Sequence, residues 1–239
     1  MRHFVCFPTA DPKRGVECAW KWMEKGYDAL IMLDKGVYVS DTLFSGTRPC
    51  LWDMHCSSDV FPGYYSVMNE IVAKAFGQPE CADLVTCIGD DMDPPVQDAQ
   101  KIADMYFSLF PDGFGVLQAT GDIQGTDSTG RPAAARICGS PTFGRGWWSR
   151  AYQGRGPFWS EYQSYYGDED LLNTAQRCRV LHQEPSVMIF HRHFSWGHQT
   201  QTDYQKRNND LHWHKDRATF YARQIRGFPC SDPLPKQDS

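Results

Sequence analysis

The chain has 239 residues, which suits one α/β domain, and its 41% hydrophobic and 22% charged residues are typical of a globular protein. A formal net charge of −5 argues against a general nucleic-acid coat, although a local basic groove stays compatible with it. The chain lacks 18 consecutive apolar residues, which excludes a transmembrane helix, and its nine cysteines without a Cys-x-x-Cys pair favour reduced thiols in a cytoplasm.

Strands and helices alternate in the predicted first half of the chain. Apolar residues over 3–7 and 27–33 predict buried strands, and the helical spacing of Val16, Ala19 and Met23 predicts a helix that ends before Gly26. A strand, a helix and a strand in about 35 residues form a βαβ unit, which favours a parallel sheet. Residues 36–63 are expected to be irregular. The further elements predicted in this half are a helix over 64–76, a strand over 82–88, a helix over 96–110 and a strand over 113–119.

The second half has a different pattern. Residues 121–160 are rich in Gly, Ser and Arg. At the other end of the chain, the N-terminal apolar segment is too short for a signal peptide. We predict an alternating α/β half over 1–125, a second half of the same domain over 126–230 and a frayed tail over 231–239. The elements expected in the second half are a helix over 168–181, a strand over 187–191 and one or two charged helices over 202–226.

Three carboxylates follow the predicted strand over 82–88. Asp90, Asp91 and Asp93 come where ligands bind in parallel sheets, at the carboxyl end of a strand. Alternate side chains share one face, so Asp91 and Asp93 are predicted to face one cation together. Mg²⁺ and Mn²⁺ prefer such oxygen ligands and often bind a diphosphate as well. The alternative is an acidic turn that caps the following helix.

Three other groups contain residue types that are common in catalytic and metal-binding sites. Asp168, Glu169 and Asp170 precede a helix, where a helix dipole favours acidic residues. His191 and His193 alternate on a strand and face one way, with His198 shortly after them; core or surface histidines are the alternative. A zinc site with Cys178 and His182 lacks the usual paired cysteines.

Residues 128–160 contain no Asp or Glu and interleave arginines with aromatic residues. Arg145, Trp147, Trp148 and Arg150 lie in this stripe. Arginine with aromatic rings suits a phosphate backbone and its bases, and it also suits the stacking of sugars. The alternative is a loop that folds over a bound substrate.

The run Asp83-Leu-Val-Thr-Cys-Ile-Gly-Asp-Asp-Met-Asp93 resembles the Asp-x-Asp signature of GT-A glycosyltransferases. The resemblance implies a Rossmann-like α/β fold with a mixed, mostly parallel sheet, flanked by helices, in a single domain. Residues 1–125 would be its nucleotide-sugar-binding half, and residues 126–230 would form the C-terminal half with the acceptor side and the catalytic base. The resemblance also implies that Asp91 and Asp93 hold the Mn²⁺ or Mg²⁺ ion that bridges the diphosphate, and that Asp91 also contacts the nucleotide sugar. The segment Pro8-Thr9-Ala10 would cup the base and ribose, with Asp34 at the base.

Gly167-Asp168-Glu169-Asp170 resembles the Gly-x-Glu-Asp motif of inverting members of that family. The resemblance implies that Asp170 is the general base on the acceptor hydroxyl, with Glu169 beside it. A late histidine often completes the metal site in the family, which points to His191 or His193, with His198 in reserve. The region with Arg145, Trp147, Trp148 and Arg150 would then bind the acceptor.

These observations predict a metal-dependent, inverting glycosyltransferase whose donor is a nucleotide-diphosphate sugar, with a UDP-sugar favoured. The chain is similar to viral (phage) enzymes that glycosylate hydroxymethylated pyrimidines in DNA, which would place it in a host cytoplasm. The alternatives are a nucleotidyltransferase and a non-enzymatic module that binds nucleic acid or carbohydrate. A nucleotidyltransferase would require a glycine-rich phosphate loop with a lysine, and residues 8–15 match such a loop poorly.

Overall fold

The computed structural model describes residues 1–33, 51–55, 61–77, 82–121, 133–192, 200 and 203–230. The strands in these ranges are β1 (His3–Thr9), β2 (Asp28–Leu33), β3 (Leu51–His55), β4 (Leu84–Cys87), β5 (Met92–Asp93), β6 (Val116–Ala119), β7 (Pro141–Gly144), β8 (Leu181–Glu184) and β9 (Phe190–His191). The α-helices are α1 (Pro12–Met23), α2 (Tyr64–Gly77), α3 (Ala99–Leu109), α4 (Arg145–Arg150), α5 (Gly167–Arg177) and α6 (Asp203–Ile225). None of the helices in the described ranges combines the length and the apolarity needed to cross a membrane.

A seven-stranded sheet has the order β3-β2-β1-β4-β7-β6-β8, and a small second sheet pairs β5 with β9. Six strands of the large sheet run in one direction and only β7 is reversed, because β7 is antiparallel to both β4 and β6. We call the edge at which β1, β2 and β4 end the carboxyl edge. Gly144, at the end of β7, pairs with Leu84 at the start of β4, so β7 ends at the opposite edge.

Helix α1 shows how local chemistry sets the βαβ unit. The Asp11 carboxylate accepts hydrogen bonds from the backbone N–H groups of Lys13 (3.1 Å) and Arg14 (3.2 Å), which caps the helix, and Pro12 is suited to the first turn. Gly26 follows the helix with φ +87°, a conformation that favours glycine. The predicted helix and the parallel pairing of β1 with β2 are therefore confirmed.

The core lies on both faces of the sheet because side chains alternate along each strand. Phe4 and Cys6 of β1 pack on the face covered by α2, whereas Val5 and Phe7 pack on the face covered by α1 and α3. Both layers include residues from the first and second halves of the sequence. Strands from both halves also form the one large sheet.

Several predicted elements differ from the structure. Residues 36–63, expected to be irregular, contain β3, and the helix predicted over 168–181 ends at Arg177. The strand expected over 187–191 is restricted to β9. Strand β7 was not predicted, because it contains Pro141 and Gly144, which are turn signals in a sequence. The polar β8 lies at the edge of the sheet, where an apolar alternation is not required.

Candidate active site

The start of α2 connects the two acidic motifs. The Tyr64 hydroxyl donates to the carbonyl oxygen of Ile88 (3.0 Å), directly before the Gly89-Asp90-Asp91 segment. The Tyr65 hydroxyl donates to Asp168 Oδ1 (3.1 Å) and accepts from the Asp168 backbone N–H (3.1 Å). Two segments far apart in the sequence therefore border one helix terminus, near the carboxyl edge of the sheet.

Asp91 and His191 form the centre of the first motif. The pairing of β5 with β9 sets Met92 opposite His191, and the backbone N–H of Arg192 donates to the Asp91 carbonyl oxygen (2.9 Å). As a result, His191 Nε2 lies 3.2 Å from Asp91 Oδ1, and Asp91 is only 7% exposed. A carboxylate oxygen and an imidazole nitrogen are both suitable ligands for Mn²⁺.

Gly89 leaves room for the Asp91 carboxylate. A Cβ atom at position 89 would lie 2.6 Å from Asp91 Oδ1, closer than real Cβ contacts allow. Any other residue at this position would displace the carboxylate from its place beside His191.

The neighbouring carboxylates are neutralised by cationic side chains. Asp93 Oδ1 lies 2.7 Å from Lys21 Nζ and Asp93 Oδ2 lies 3.1 Å from Arg192 Nη1. Asp90 Oδ2 accepts from Arg14 Nε (3.0 Å) and Nη2 (2.8 Å). This geometry pairs Asp91 with His191, and Asp93 with Lys21 and Arg192. The sharing of one cation by Asp91 and Asp93 stays a prediction.

No group of three or more His, Cys, Asp or Glu side chains is arranged around a common metal position within the described ranges. A cation at Asp91 and His191 would therefore take its other ligands from substrate phosphates and water, as Mg²⁺ commonly does. His193, predicted as a ligand, and Asp34, predicted at the base, lie outside the described residues, as does His198.

The end of β1 joins the acidic segment directly. The Thr9 hydroxyl lies 2.7 Å from Asp90 Oδ2, and the side chain is buried. Pro8 is partly exposed and Ala10 is exposed, so these two residues and not the Thr9 side chain face the space beyond the strand. The Pro8-Thr9-Ala10 segment thus borders the Asp90-Asp91 turn, where a nucleotide was predicted.

Asp170 is surrounded by partners in the protein interior. Its carboxylate pairs with the Arg223 guanidinium and accepts from the hydroxyl groups of Tyr152 (3.0 Å), Tyr162 (3.0 Å) and Thr174 (3.1 Å). The side chains of Asp170 and Arg223 are 0% exposed. A general base must reach the proton that it removes, so this environment is at odds with the role predicted for Asp170 and gives it a structural role instead.

Glu169 is the more accessible carboxylate of the second motif. Its side chain is partly exposed at the first turn of α5. Burial raises the pKa of Glu169 and the charge of Asp168 adds to this effect, whereas the Arg136 guanidinium opposes it. A carboxylate with a raised pKa is a better proton acceptor at neutral pH than an ordinary one.

The predicted acceptor residues lie at the other edge of the sheet, because β7 runs in reverse and α4 follows its end. Arg145 Nη2 donates to the carbonyl oxygen of Phe76 (2.8 Å), and Arg150 Nη2 lies 2.6 Å from Asp112 Oδ2. Trp147 is fully buried, and Trp148 stacks on Phe76 at 5.4 Å between centroids. These four residues have partners away from both acidic motifs, which does not favour the predicted acceptor-binding role; that role stays a prediction.

The sequence did not reveal several residues that build this region. Tyr64 and Tyr65 resemble ordinary core residues at the start of a helix, and Arg14 and Lys21 resemble the solvated face of α1. The only available signal for the latter pair is their spacing on one helix, which places them two turns apart.

No protein-family model matches the chain, and no curated protein matches it in sequence. The fold is similar to that of glucosyl-3-phosphoglycerate synthase from Mycobacterium tuberculosis. The structure of that protein with Mg²⁺ and UDP aligns with a TM-score of 0.54 and 12% identity over 98% of this chain and 80% of that one. Its structure with Mn²⁺, UDP-glucose and phosphoglyceric acid aligns with a TM-score of 0.53 and 11% identity, over 97% of this chain and 81% of that one.

At this level of identity the likeness shows the fold. The chain has the mixed α/β architecture with a mostly parallel sheet that the resemblance implied, as in the GT-A glycosyltransferases. The predicted fold class is therefore confirmed.

Proposed function

We propose that this protein is a metal-dependent glycosyltransferase that moves a sugar from a nucleotide-diphosphate sugar to a hydroxyl group. The observation that carries the proposal is the Asp91–His191 pair, held by β5 and β9 at the carboxyl edge of a GT-A-like sheet. The similar synthase was solved with Mn²⁺ and UDP-glucose, which supports a UDP-sugar as the donor.

The residues at the acidic turn fit a divalent cation. Asp91 and His191 would hold Mn²⁺ or Mg²⁺, and Pro8 and Ala10 border the space for the nucleotide. When bound, the cation neutralises the charge that develops on the departing diphosphate. Arg14, Lys21 and Arg192 offset Asp90 and Asp93, so the turn does not present three uncompensated carboxylates to an anionic donor.

Glu169 is the proposed general base in place of Asp170. Its carboxylate accepts the proton of the acceptor hydroxyl while that oxygen bonds to the anomeric carbon and the bond from this carbon to the diphosphate oxygen breaks. Direct attack of this kind inverts the anomeric centre. Asp170 pairs with Arg223 of α6 and thereby holds in place the first turn of α5, which also contains Glu169.

A hydroxymethylpyrimidine in DNA, the predicted acceptor, loses its main support in the geometry. The arginine and aromatic stripe that favoured DNA lies at the opposite edge of the sheet. Hexosyl and pentosyl donors both fit the proposal, and a donor screen distinguishes them.

The test compares two neighbouring carboxylates. Calorimetry should show UDP binding in Mn²⁺ that EDTA abolishes, and Asp91→Asn should weaken this binding at least about tenfold. Asp93→Asn is the matched control and should retain most of the binding, because Asp93 faces Lys21 and Arg192. Binding of UDP that ignores both EDTA and Asp91→Asn would contradict the metal site.

The reaction itself is identified by its products. Incubation with UDP-glucose or UDP-xylose in Mn²⁺ should release UDP, and NMR of the transferred sugar should show an inverted anomeric centre. Release of pyrophosphate would instead indicate nucleotidyl transfer. A retained configuration would remove Glu169 as the direct base and leave glycosyl transfer in place.

A further inference from the structure

Three aromatic side chains cluster beside the second acidic motif. The ring of Trp213 in α6 lies 5.3 Å from the ring of Tyr165 and 5.1 Å from that of Tyr166. Trp213 is 39% exposed, and both tyrosines are partly exposed. We call these three residues the aromatic platform. Large exposed aromatic residues beside a catalytic carboxylate are a common feature of ligand-binding surfaces.

The aromatic platform adjoins Glu169. Tyr166 is the residue directly before α5, and Glu169 lies in the first turn of that helix. Burial raises the pKa of Tyr166, the Arg217 guanidinium opposes this effect, and the charge of Glu169 adds to it. Tyr166 therefore lies within electrostatic reach of both Glu169 and Arg217.

Helix α6 holds the aromatic platform in a fixed shape. Buried Asp216 accepts hydrogen bonds from three successive backbone N–H groups, those of Gln163 (3.1 Å), Ser164 (2.8 Å) and Tyr165 (2.9 Å). Asp216 is three residues after Trp213, so both project from one side of α6. The helix that holds the loop also supplies the third ring.

The backbone of Tyr166 is itself unusual. Its φ of +64° is in the left-handed region, which residues other than glycine rarely adopt, and its ring packs on Phe220 at 5.1 Å. Such conformations persist where surrounding contacts impose them, and they are frequent at functional sites.

We propose that the aromatic platform of Tyr165, Tyr166 and Trp213 is the acceptor subsite, and that its occupant is a sugar ring with a hydroxyl group directed at Glu169. This proposal rests on the proposed function. The C–H face of a sugar packs on an aromatic ring, and its hydroxyl groups suit the carboxylates of Asp168 and Glu169. Those two carboxylates would repel the phosphates of a DNA strand, which favours a sugar over a nucleobase as the occupant.

The experiment separates acceptor binding from donor binding. Transfer from UDP-sugar would be measured with a panel of p-nitrophenyl hexosides and with a duplex containing hydroxymethylcytosine. Trp213→Ala should lower kcat/KM for the preferred hexoside about tenfold through a higher acceptor KM. Trp213→Phe should retain most of the activity. Mn²⁺-dependent UDP binding and donor hydrolysis should stay at wild-type levels in both variants.

Tyr221→Ala is the matched control, because Tyr221 is on the same helix, is 47% exposed and is not part of the aromatic platform. Tyr165→Ala provides a second test if Trp213→Ala fails to fold, as judged by thermal unfolding. An unchanged acceptor KM in the alanine variants Trp213→Ala and Tyr165→Ala would overturn the subsite. Transfer to the duplex but to no hexoside would also overturn it. If the wild-type protein does not bind UDP, the proposed function is contradicted, and the subsite with it.

Discussion

At the scale of the residue, partners and not residue type decide what each carboxylate does. Asp91 lies beside His191, Asp93 lies between Lys21 and Arg192, and Asp170 is buried against Arg223. A carboxylate whose oxygens are already paired with cations has little capacity left for a metal ion or a proton. Asp91 and Glu169 are thus the carboxylates with the environments best suited to metal binding and proton transfer.

Arg136→Gln should shift the acid limb of the kcat/KM profile to higher pH. Arg136 lowers the pKa of Glu169, so removal of its charge raises that pKa further, and the base is then deprotonated only at a higher pH. Rate measurements across the acid range check the sign. Arg155→Gln, which removes another exposed arginine, should leave the limb in place. A limb that moves to lower pH would contradict Glu169 as the base.

At the scale of the element, α6 fastens the second acidic motif from two positions. Asp216 binds the backbone of the loop before α5, and Arg223 pairs with Asp170 inside α5. Both side chains are 0% exposed. Helix α6 therefore positions Glu169 and the platform tyrosines through the buried side chains of Asp216 and Arg223, in addition to supplying Trp213 to the platform.

Asp170→Ala should destabilise the protein by roughly 3–5 kcal/mol, because it leaves the buried Arg223 charge without its partner. Urea unfolding followed by circular dichroism measures the loss. The double variant Asp170→Leu with Arg223→Met should recover part of the stability, since it removes both charges. Loss of transfer activity with unchanged stability would restore Asp170 as the candidate base.

At the scale of the whole molecule, the two predicted halves share one sheet. The strand neighbours of β6, among the described residues, are β7 and β8, which both belong to the second half of the chain. Strand β7 also borders β4, which leads into the acidic turn. The half predicted over 1–125 therefore shares its sheet and its core with residues of the half predicted over 126–230.

A fragment of residues 1–125 should fail to fold cooperatively, whereas the full chain should unfold in one transition. Without β7 and β8, strand β6 lacks its described hydrogen-bonding partners, and the buried side chains that pack on Phe143 become exposed. Urea titrations of both proteins followed by far-UV circular dichroism provide the comparison. A sigmoidal transition in the fragment would show that the first half is an independent unit.

The sequence alone predicted most elements of the first half of the chain and an α/β class of fold. Asp11, Pro12 and Gly26 mark the ends of α1, and an apolar run followed by Gly89-Asp90-Asp91 predicts a strand end with an acidic turn. These features arise from short-range hydrogen bonding, sterics and side-chain periodicity, which neighbouring residues encode. They were sufficient to predict a βαβ unit in a parallel sheet with carboxylates at its carboxyl edge, whereas the mixed, mostly parallel sheet was implied by the resemblance to GT-A glycosyltransferases.

Only the tertiary structure decided which carboxylate has which partner. Asp91 reaches His191 through the pairing of two-residue strands, and Asp170 reaches Arg223 through the packing of α6 on α5. The reversal of β7, a strand without a clear signal in the sequence, placed Arg145 at the edge opposite the acidic turn. Such contacts join distant parts of the chain, and burial and charge pairing select them only once the whole sheet has formed.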